Sequence, residues 1–217
     1  NRLAKNGQRY LFYTVSESIN RNLPVELALL PFIESQFDPY AQSSTGASGI
    51  WQFILSTARE HKLKKNWWYD GRRDIVASTG AAYDYLTKLH SKYDDWLLAI
   101  AAYNAGPNRI SKEIKKNLAK GLPTDFWSLN LPKETKAYVP KLLALVEVIK
   151  NPSKFSVDIP FLPNRPYFQL VTLPSQVDLM QVANISGLKL EVIYELNPGF
   201  NQWATDPNGP FHILLPV

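Results

Sequence analysis

The fold is decided by the stretch Pro24-Val-Glu-Leu-Ala-Leu-Leu-Pro-Phe-Ile-Glu-Ser-Gln-Phe37, which is apolar on almost every side of a helix. Pro24 suits a first helical position, and a helix that is apolar all round is buried in a core. The run is too short to cross a bilayer, which needs ~20 apolar residues. Glu34 lies in this run, and helical spacing aligns it with Leu27 and Leu30, on the face that should look into the core.

Glu34 is the residue of chemical interest, because carboxylates are almost never fully buried without a partner. A carboxyl group in an apolar wall is favoured in its protonated form, which is the state that a general acid requires. Alternatively, Glu34 pairs with an arginine and serves only the fold. This stretch alone leaves both interpretations open. We expect the helix to end at Asp38, because the residue before Pro39 is disfavoured in helical conformation.

A small polar loop over residues 42–49 follows this helix and contains Gly46 and Gly49. Glycine lets the backbone turn tightly and approach a ligand closely. The loop leads directly into Ile50-Trp-Gln-Phe53, an unusual sequel for a flexible linker. We therefore favour a loop that belongs to a site over a linker.

The remaining patterns predict a mainly α region, a linker and a small mixed module. Predicted helices cover residues 8–21, 56–61, 74–92, 95–105, 109–120 and 133–149. Residues 151–166 contain four prolines and no periodicity, which indicates a linker. The tail predicts strand, helix, helix and strand at 167–173, 176–185, 189–196 and 212–216. We expect domains at 1–150 and 167–217.

Charge and composition narrow the function classes. Residues 1–150 contain 21 Lys and Arg against 14 Asp and Glu, which favours an anionic partner. No nucleic-acid-binding motif or phosphate loop is present, and the absence of cysteine excludes disulfides and thiolate metal sites. The three histidines, at 61, 90 and 212, lack metal-ligand spacing. No leader or membrane-spanning segment is recognisable; because the chain begins at Asn1, one could have been trimmed away.

Four segments in order carry a family resemblance: Glu34-Ser35, Gly49 to Phe53, Ala102 to Gly106 and Glu134 to Val139. Each segment alone is weak, but together, at these spacings over residues 20–150, they form a specific set. The set resembles the family 1 lytic transglycosylases, whose domain has a goose-type lysozyme-like (SLT) helical fold. The resemblance implies that Glu34 is the single catalytic acid/base.

The same resemblance implies substrate-binding roles for five further side chains. These residues are Ser35, Gln52, Tyr103, Asn104 and Tyr138. From the residues alone, the two tyrosines could equally be core aromatics and the asparagine a helix C-terminal residue.

The implied reaction cleaves the β-1,4 bond between N-acetylmuramic acid and N-acetylglucosamine in peptidoglycan. It leaves 1,6-anhydromuramic ends and requires no cofactor and no metal. One carboxyl group is enough, whereas most glycosidases use two. Asp38, Asp70 or Asp74 could position water in a hydrolytic muramidase, although surface pairing suffices to explain the last two. A non-catalytic peptidoglycan-binding protein is the alternative from another class, and a nucleic-acid binder is a weaker one.

The tail resembles a divergent LysM module, the βααβ sugar-binding fold of cell-wall proteins. The matching pieces are Val182-Ala183, Leu190 to Pro198 and Ile213 to Val217, whereas the usual Gly-Asp-Thr-Leu segment is replaced by Pro174 to Leu179. This departure leaves two alternatives, a glycan-binding tail and a structural cap on the catalytic domain. The resemblances together imply a monomer on peptidoglycan glycan strands, at the periplasmic side of the bacterial envelope. They imply attachment to the outer membrane through a lipid anchor outside this sequence, and no nucleic-acid partner.

Overall fold

Helices make up most of the regular structure in this computed structural model, which describes residues 2–217 and the side chains from Gly7 onward. The α-helices are α1 (Arg2–Asn20), α2 (Leu30–Glu34), α3 (Leu55–Glu60), α4 (Ile75–Tyr93), α5 (Trp96–Ala105), α6 (Pro107–Leu118), α7 (Lys133–Lys150), α8 (Leu179–Ser186) and α9 (Leu190–Leu196). Strands β1 (Phe168–Thr172) and β2 (His212–Pro216) pair antiparallel. Single 3-10 turns cover Val25–Leu29, Phe126–Ser128 and Pro152–Phe155. The mainly α prediction and the strand-helix-helix-strand order of the tail are confirmed.

Helix ends follow local capping chemistry. The Asp95 side chain accepts a hydrogen bond from the backbone N–H of Leu98 at 3.0 Å, and Gly106 ends α5 with a φ of 85°. In the tail, Asp178 accepts from the N–H groups of Met180 and Gln181. Helix α8 therefore begins three residues later than expected, because the cap fixes its first turn at Asp178.

The chain forms two compact units, one of Asn1–Ala81 with Pro160–Val217, and one of Ala82–Ile159. This division follows spatial contacts, whereas the expected boundaries near 150 and 167 follow the sequence pattern. Those sequence boundaries stay a prediction.

The first unit buries the stretch from which the sequence analysis started. Leu27, Leu30 and Phe37 are almost completely inaccessible, as are Ile50 and Trp51 from the following loop. Burial of such side chains contributes about 1.5–3 kcal/mol each to the free energy of unfolding. The apolar face predicted from the sequence is thus the core of this unit.

The tail packs on the N-terminal part of the same unit. Its core cluster contains Leu179, Ile193 and Ile213 together with Tyr69 from the N-terminal part. The N–H of Asp70 also donates to the Gly199 carbonyl oxygen at 2.8 Å. The tail therefore shares a core and a backbone hydrogen bond with the N-terminal region, which is the packing expected of a structural cap.

The second unit is built around α5. Residues Leu98 to Ala102 of this helix are all buried, and α5 packs against α6 and α7. Pro140 lies inside α7 without ending it. The last turn of α5, with Tyr103 and Asn104, is only half-buried.

Candidate active site

Glu34 is the last residue of α2 and is half-buried. Pro31 lacks an N–H group, so the preceding backbone forms a 3-10 turn and α2 is short. The aligned residues Leu27 and Leu30 are buried, as the spacing predicted. The carboxyl group thus belongs to a wall with an apolar interior but keeps partial access to solvent, which a group that exchanges protons with a ligand requires.

The backbone reverses directly after Glu34, and this differs from the predicted helix end at Asp38. The Pro31 carbonyl oxygen accepts from the N–H groups of both Ser35 and Phe37, each at 3.1 Å. Gln36 and Phe37 adopt φ values of 56° and 55°, in the left-handed region. The prediction of the helix end was wrong by about one turn, because the doubly used carbonyl closes the helix early.

Ser35 connects this reversal to the loop that contains Gln52. Its hydroxyl donates to the Ile50 carbonyl oxygen at 2.9 Å and lies 3.3 Å from the Pro31 carbonyl oxygen. The donor of Ser35 is therefore used within the protein, and only acceptor capacity remains for a ligand. The hydrogen bond joins the end of α2 to the second expected site segment.

The loop over residues 42–53 is held close to the Arg72 backbone. Gly49 has a φ of 85°, and a Cβ atom there would lie 1.8 Å from the carbonyl oxygen of Arg72. The buried Arg72 guanidinium donates to the carbonyl oxygens of Gly46, at 2.7 Å, and of Phe53, at 3.3 Å. Arg72 thus holds the middle and the C-terminal end of the loop, and the close approach of its backbone requires a glycine at position 49.

Gln52 is half-buried and has a fixed amide orientation. Its Nε2 donates to the carbonyl oxygens of Gly49, at 2.8 Å, and of Ala41, at 3.2 Å. Because carbonyl oxygens only accept, the amide nitrogen must face them and Oε1 must point the other way. Gln52 therefore offers a hydrogen-bond acceptor to a ligand that carries a hydroxyl or amide N–H.

The three aspartates considered for a hydrolytic mechanism all hold backbone or ion-pair positions. Asp38 accepts from the Tyr40 N–H at 2.9 Å. Asp70 forms a buried, two-pronged ion pair with Arg72. Burial raises the pKa of Asp70, but the hydrogen bonds and charge of Arg72 outweigh it and the net pKa is lowered. Surface pairing was the wrong explanation for Asp70, because the pair lies in the interior.

Asp74 is also buried and not at the surface. It accepts from the N–H of Ala77 at 2.7 Å, at the start of α4, and its other oxygen lies 3.0 Å from Nε2 of His212. Burial raises the pKa of Asp74, but the hydrogen bond and the charge of His212 lower it by more, so the net pKa lies below its ordinary value. This carboxylate is occupied by a helix start and by the tail.

In the second unit, Asn104 is fixed to the start of α7. Its Oδ1 accepts from the Thr135 hydroxyl at 2.8 Å, and its Nδ2 lies 3.4 Å from a Glu134 carboxylate oxygen. Thr135 is buried. Asn104 is thus more than a helix C-terminal residue, because its side chain joins α5 to α7.

The two expected tyrosines differ in their surroundings. Tyr103 is half-buried, and its ring lies 5.6 Å from that of Tyr85. Tyr138 lies in α7 and only 5% of its surface is exposed. Glu34, Ser35 and Gln52 belong to the first unit, and Tyr103, Asn104 and Tyr138 to the second. The substrate-binding roles of these residues stay predictions.

The described part of the chain holds no cluster of three or more His, Cys, Asp or Glu side chains that could bind a metal ion. Among the same residues, no helix combines the length and the apolar character that a membrane span requires.

Arg72 is the residue that sequence reasoning missed. It lies in a basic run next to three aromatic residues, which suggests an exposed segment and not an interior cation. Its partners include the Gly46 and Phe53 carbonyl groups, 26 and 19 residues away. No pattern in the sequence marks contacts at such separations.

Comparison with known proteins identifies both parts of the chain. The family model described as "Transglycosylase SLT domain" matches residues 14–124, and "Lytic transglycosylase MltD, LysM-like domain" matches residues 167–217. The chain is 43% identical to membrane-bound lytic murein transglycosylase D of Escherichia coli over 97% of this chain and 47% of that protein. It is 33% identical to membrane-bound lytic murein transglycosylase F of Desulfosudis oleivorans, over 46% of this chain and 22% of that protein.

A solved structure of an inactive mutant of lytic transglycosylase Slt from Pseudomonas aeruginosa matches with a TM-score of 0.45. It is 26% identical, over 67% of this chain and 24% of that one. The chain spans about half the length of the first of the two curated relatives named above and less than a quarter of the second. The family matches confirm the expected fold class, a lysozyme-like SLT helical domain followed by a LysM-like module. The chain therefore belongs to the transglycosylase SLT domain family and carries the LysM-like domain described for lytic transglycosylase MltD.

Proposed function

We propose that this chain is a peptidoglycan lytic transglycosylase that cleaves the β-1,4 bond after N-acetylmuramic acid without water and leaves 1,6-anhydromuramic ends. Glu34 would act as the single acid/base. One observation carries the proposal: Glu34 ends a short helix whose first two residues are buried, and it stays only partly buried itself, within the segment that matches the SLT family model.

In the first step, the protonated Glu34 carboxyl group gives its proton to the glycosidic oxygen. The bond between that oxygen and C1 of N-acetylmuramic acid breaks, and N-acetylglucosamine leaves with a free 4-hydroxyl group. The N-acetyl oxygen of the muramyl residue stabilises the positive charge at C1. A second protein carboxylate is then unnecessary, in contrast to glycosidases that use a carboxylate pair.

In the second step, the Glu34 carboxylate takes the proton of the muramyl 6-hydroxyl group. The resulting oxygen attacks C1, which forms the 1,6-anhydro ring and returns Glu34 to its acid form. General acid–base catalysis by one positioned group is typically worth about 10²–10⁴-fold in rate. The occupied carboxylates of Asp38, Asp70 and Asp74 favour this route over hydrolysis.

We assign the other site residues roles that fit their hydrogen-bonding capacity. Gln52 would accept a hydrogen bond from a sugar hydroxyl or N-acetyl N–H through Oε1. Ser35 would fix the position of Glu34 through its bond to Ile50, with an acceptor left for the sugar. Tyr103 and Asn104 would contact the glycan, as their match to the family motif suggests.

Tyr138 would bind substrate near the cleaved bond through its match to the family. The partner is the peptidoglycan strand, whose carboxylates suit the surplus of basic residues in residues 1–150. The relatives named above include membrane-bound proteins, which supports a location in the cell envelope, on the periplasmic side of the outer membrane.

The test is a digest of purified peptidoglycan sacculi analysed by mass spectrometry. We expect 1,6-anhydromuramic ends from the wild type and a loss of about 100-fold or more in their rate of formation in Glu34→Gln. Reducing ends instead of anhydro ends would establish a muramidase. Binding without any cleavage by the wild type would establish a non-catalytic wall-binding protein.

A further inference from the structure

Three tryptophans form a cluster on the first unit, which we call the tryptophan platform: Trp67, Trp68 and Trp203. Their ring centroids are 4.7, 5.6 and 5.8 Å apart. Trp67 is 59% exposed and Trp203 is 57% exposed. Two of the largest aromatic side chains in the protein thus leave more than half of their surface in water, at one place.

The platform is held rigidly from the N-terminal side by Asn66. The Oδ1 atom of Asn66 accepts from the N–H groups of Trp68, at 2.9 Å, and Tyr69, at 2.8 Å. Its Nδ2 donates to the buried Asp206 carboxylate at 2.6 Å. The exposure of Trp67 is therefore set by a fixed turn and does not come from a loose loop.

The tail completes the platform from the other side. Asn201 donates its N–H to the Trp68 carbonyl oxygen at 2.8 Å, and Gln202 donates its side-chain amide to the Trp67 carbonyl oxygen at 3.1 Å. Below them, the ring of Phe200 packs at 5.7 Å on Tyr69. A platform built in this way is pre-organised, and a ligand that binds it pays little ordering entropy.

We propose that the tryptophan platform is a second glycan-binding site, which holds N-acetylated sugars of a peptidoglycan strand by stacking on the exposed indoles. The C–H faces of a pyranose ring and the methyl of an N-acetyl group are apolar, whereas its hydroxyls stay in water. An exposed, rigid indole matches that combination because it offers an apolar face and one polar N–H. This inference rests on the proposed function, which names the polymer.

The surroundings of the platform favour a polar polymer over a lipid surface. Several of its neighbours in the chain are polar or charged, including the exposed Lys65, Asn66 and Asn201. Lys65 and Arg73 add positive charge, which suits the carboxylates of muramyl groups and stem peptides. An apolar patch with a polar rim is typical of a binding site.

The platform needs both parts of the chain, because Trp67 and Trp68 precede α4 and Trp203 precedes β2. A LysM-like tail alone would present only one of the three indoles. The tail packs on the N-terminal region and, by the same contacts, completes the glycan-binding platform. The structural cap and the glycan-binding tail are then not competing roles.

The experiment measures co-sedimentation of the protein with purified sacculi, in a Glu34→Gln background that prevents digestion. We expect Trp67→Ala and Trp203→Ala each to weaken binding about three- to tenfold, a factor typical of one aromatic contact. Trp203→Phe should restore most of the binding, because it keeps a flat ring. Trp127→Ala is the matched control. Trp127 is 63% exposed but lies outside the platform, so the affinity of this variant for sacculi should not change.

A second measurement does not depend on variants that could disturb the tail. In two-dimensional NMR spectra of the Glu34→Gln protein, a soluble N-acetylglucosamine oligosaccharide should shift the indole N–H signals of Trp67 and Trp203. The indole N–H signal of Trp127, which is exposed but lies outside the platform, should not respond. Unchanged signals of Trp67 and Trp203 at a saturating concentration of the oligosaccharide would overturn the proposal.

The outcomes separate this proposal from the proposed function. Normal formation of anhydro ends together with wild-type binding by the double variant Trp67→Ala/Trp203→Ala overturns the platform and leaves the enzyme intact. An equal loss of sacculus binding in Trp127→Ala also overturns the platform. The same holds if the platform variants lose binding to phospholipid vesicles but keep their binding to sacculi. Absence of anhydro ends from the wild type refutes the proposed transglycosylase, whereas the binding assay still reports on the platform.

Discussion

Arg72 offers the sharpest test of how the Gln52 loop is held. Its guanidinium pairs with both Asp70 carboxylate oxygens, Nε to Oδ1 at 2.9 Å and Nη2 to Oδ2 at 2.7 Å. It also donates to the carbonyl groups of Gly46 and Phe53. The Arg72→Met substitution keeps the approximate length of the side chain and removes all of these donors. We expect it to destabilise the protein strongly and to loosen the loop.

The magnitude follows from the burial of the pair, since Arg72 and Asp70 are 3% and 4% exposed. Removal of one partner from a buried ion pair costs about 3–5 kcal/mol, because the other charge remains without a counter-charge. The two abandoned carbonyl groups add roughly 1 kcal/mol or more each. Lys65 lies 4.0 Å from Asp70 but is exposed and offsets little. The total is about 5–7 kcal/mol, and at about 2–4 °C per kcal/mol for a chain of this size Tm should fall by roughly 10–28 °C.

The assay is thermal and urea unfolding of the wild type, Arg72→Met and the double variant Arg72→Met/Asp70→Asn. The double variant removes the buried carboxylate charge, so it should regain about 2 kcal/mol over the single variant. The carbonyl groups of Gly46 and Phe53 still lack their donor in the double variant, which should therefore stay less stable than the wild type. A loss below 1 kcal/mol in Arg72→Met, or no recovery in the double variant, would refute this account of the loop.

Two further predictions concern pH and the loop glycines. Burial lowers the pKa of His212, but the hydrogen bond and charge of Asp74 raise it more, so its net pKa lies above the ordinary value. The pair should therefore stabilise the fold fully between pH ~4 and ~6.5. This contribution should be lost as the pH rises through the raised folded pKa of His212 or falls through the lowered folded pKa of Asp74. Urea midpoints against pH measure this, and His212→Gln should flatten the alkaline decline; an unchanged profile would contradict it. Gly49→Ala should abolish activity and lower Tm sharply, because its Cβ would meet a backbone oxygen at 1.8 Å. Gly46→Ala has open space and should cost only about 1 kcal/mol of positive-φ strain; equal losses in both would refute the steric argument.

The elements of the fold were largely predictable from local signals. Asp95 and Gly106 mark the two ends of α5 by capping chemistry, and Pro132 precedes α7 as expected. The alternation and spacing in the tail predicted its two strands and two helices. These signals work because a cap or an apolar stripe depends on residues within a few positions of each other.

The sequence selected the candidate site residues, whose roles stay predictions, but it carried no signal for their geometry. The selection of Glu34 came from an apolar run and from the order of four motifs. The early helix end at that residue, by contrast, depends on two non-glycine residues, Gln36 and Phe37, in the left-handed region. Such conformations are uncommon outside glycine, so the sequence carries no signal for them. Only the packed structure stabilises them.

The sequence by itself determined the order of most helices, the family and the choice of the carboxyl group on which the proposed chemistry depends. The tertiary structure alone decided that Asp70 and Arg72 form an interior pair, that Gln52 presents an oxygen, and that Trp203 meets Trp67. The physical reason is separation along the chain. Helix caps and periodicity arise among neighbours, whereas burial and side-chain pairing arise from contacts such as the one between Gln202 and Trp67, which are 135 residues apart.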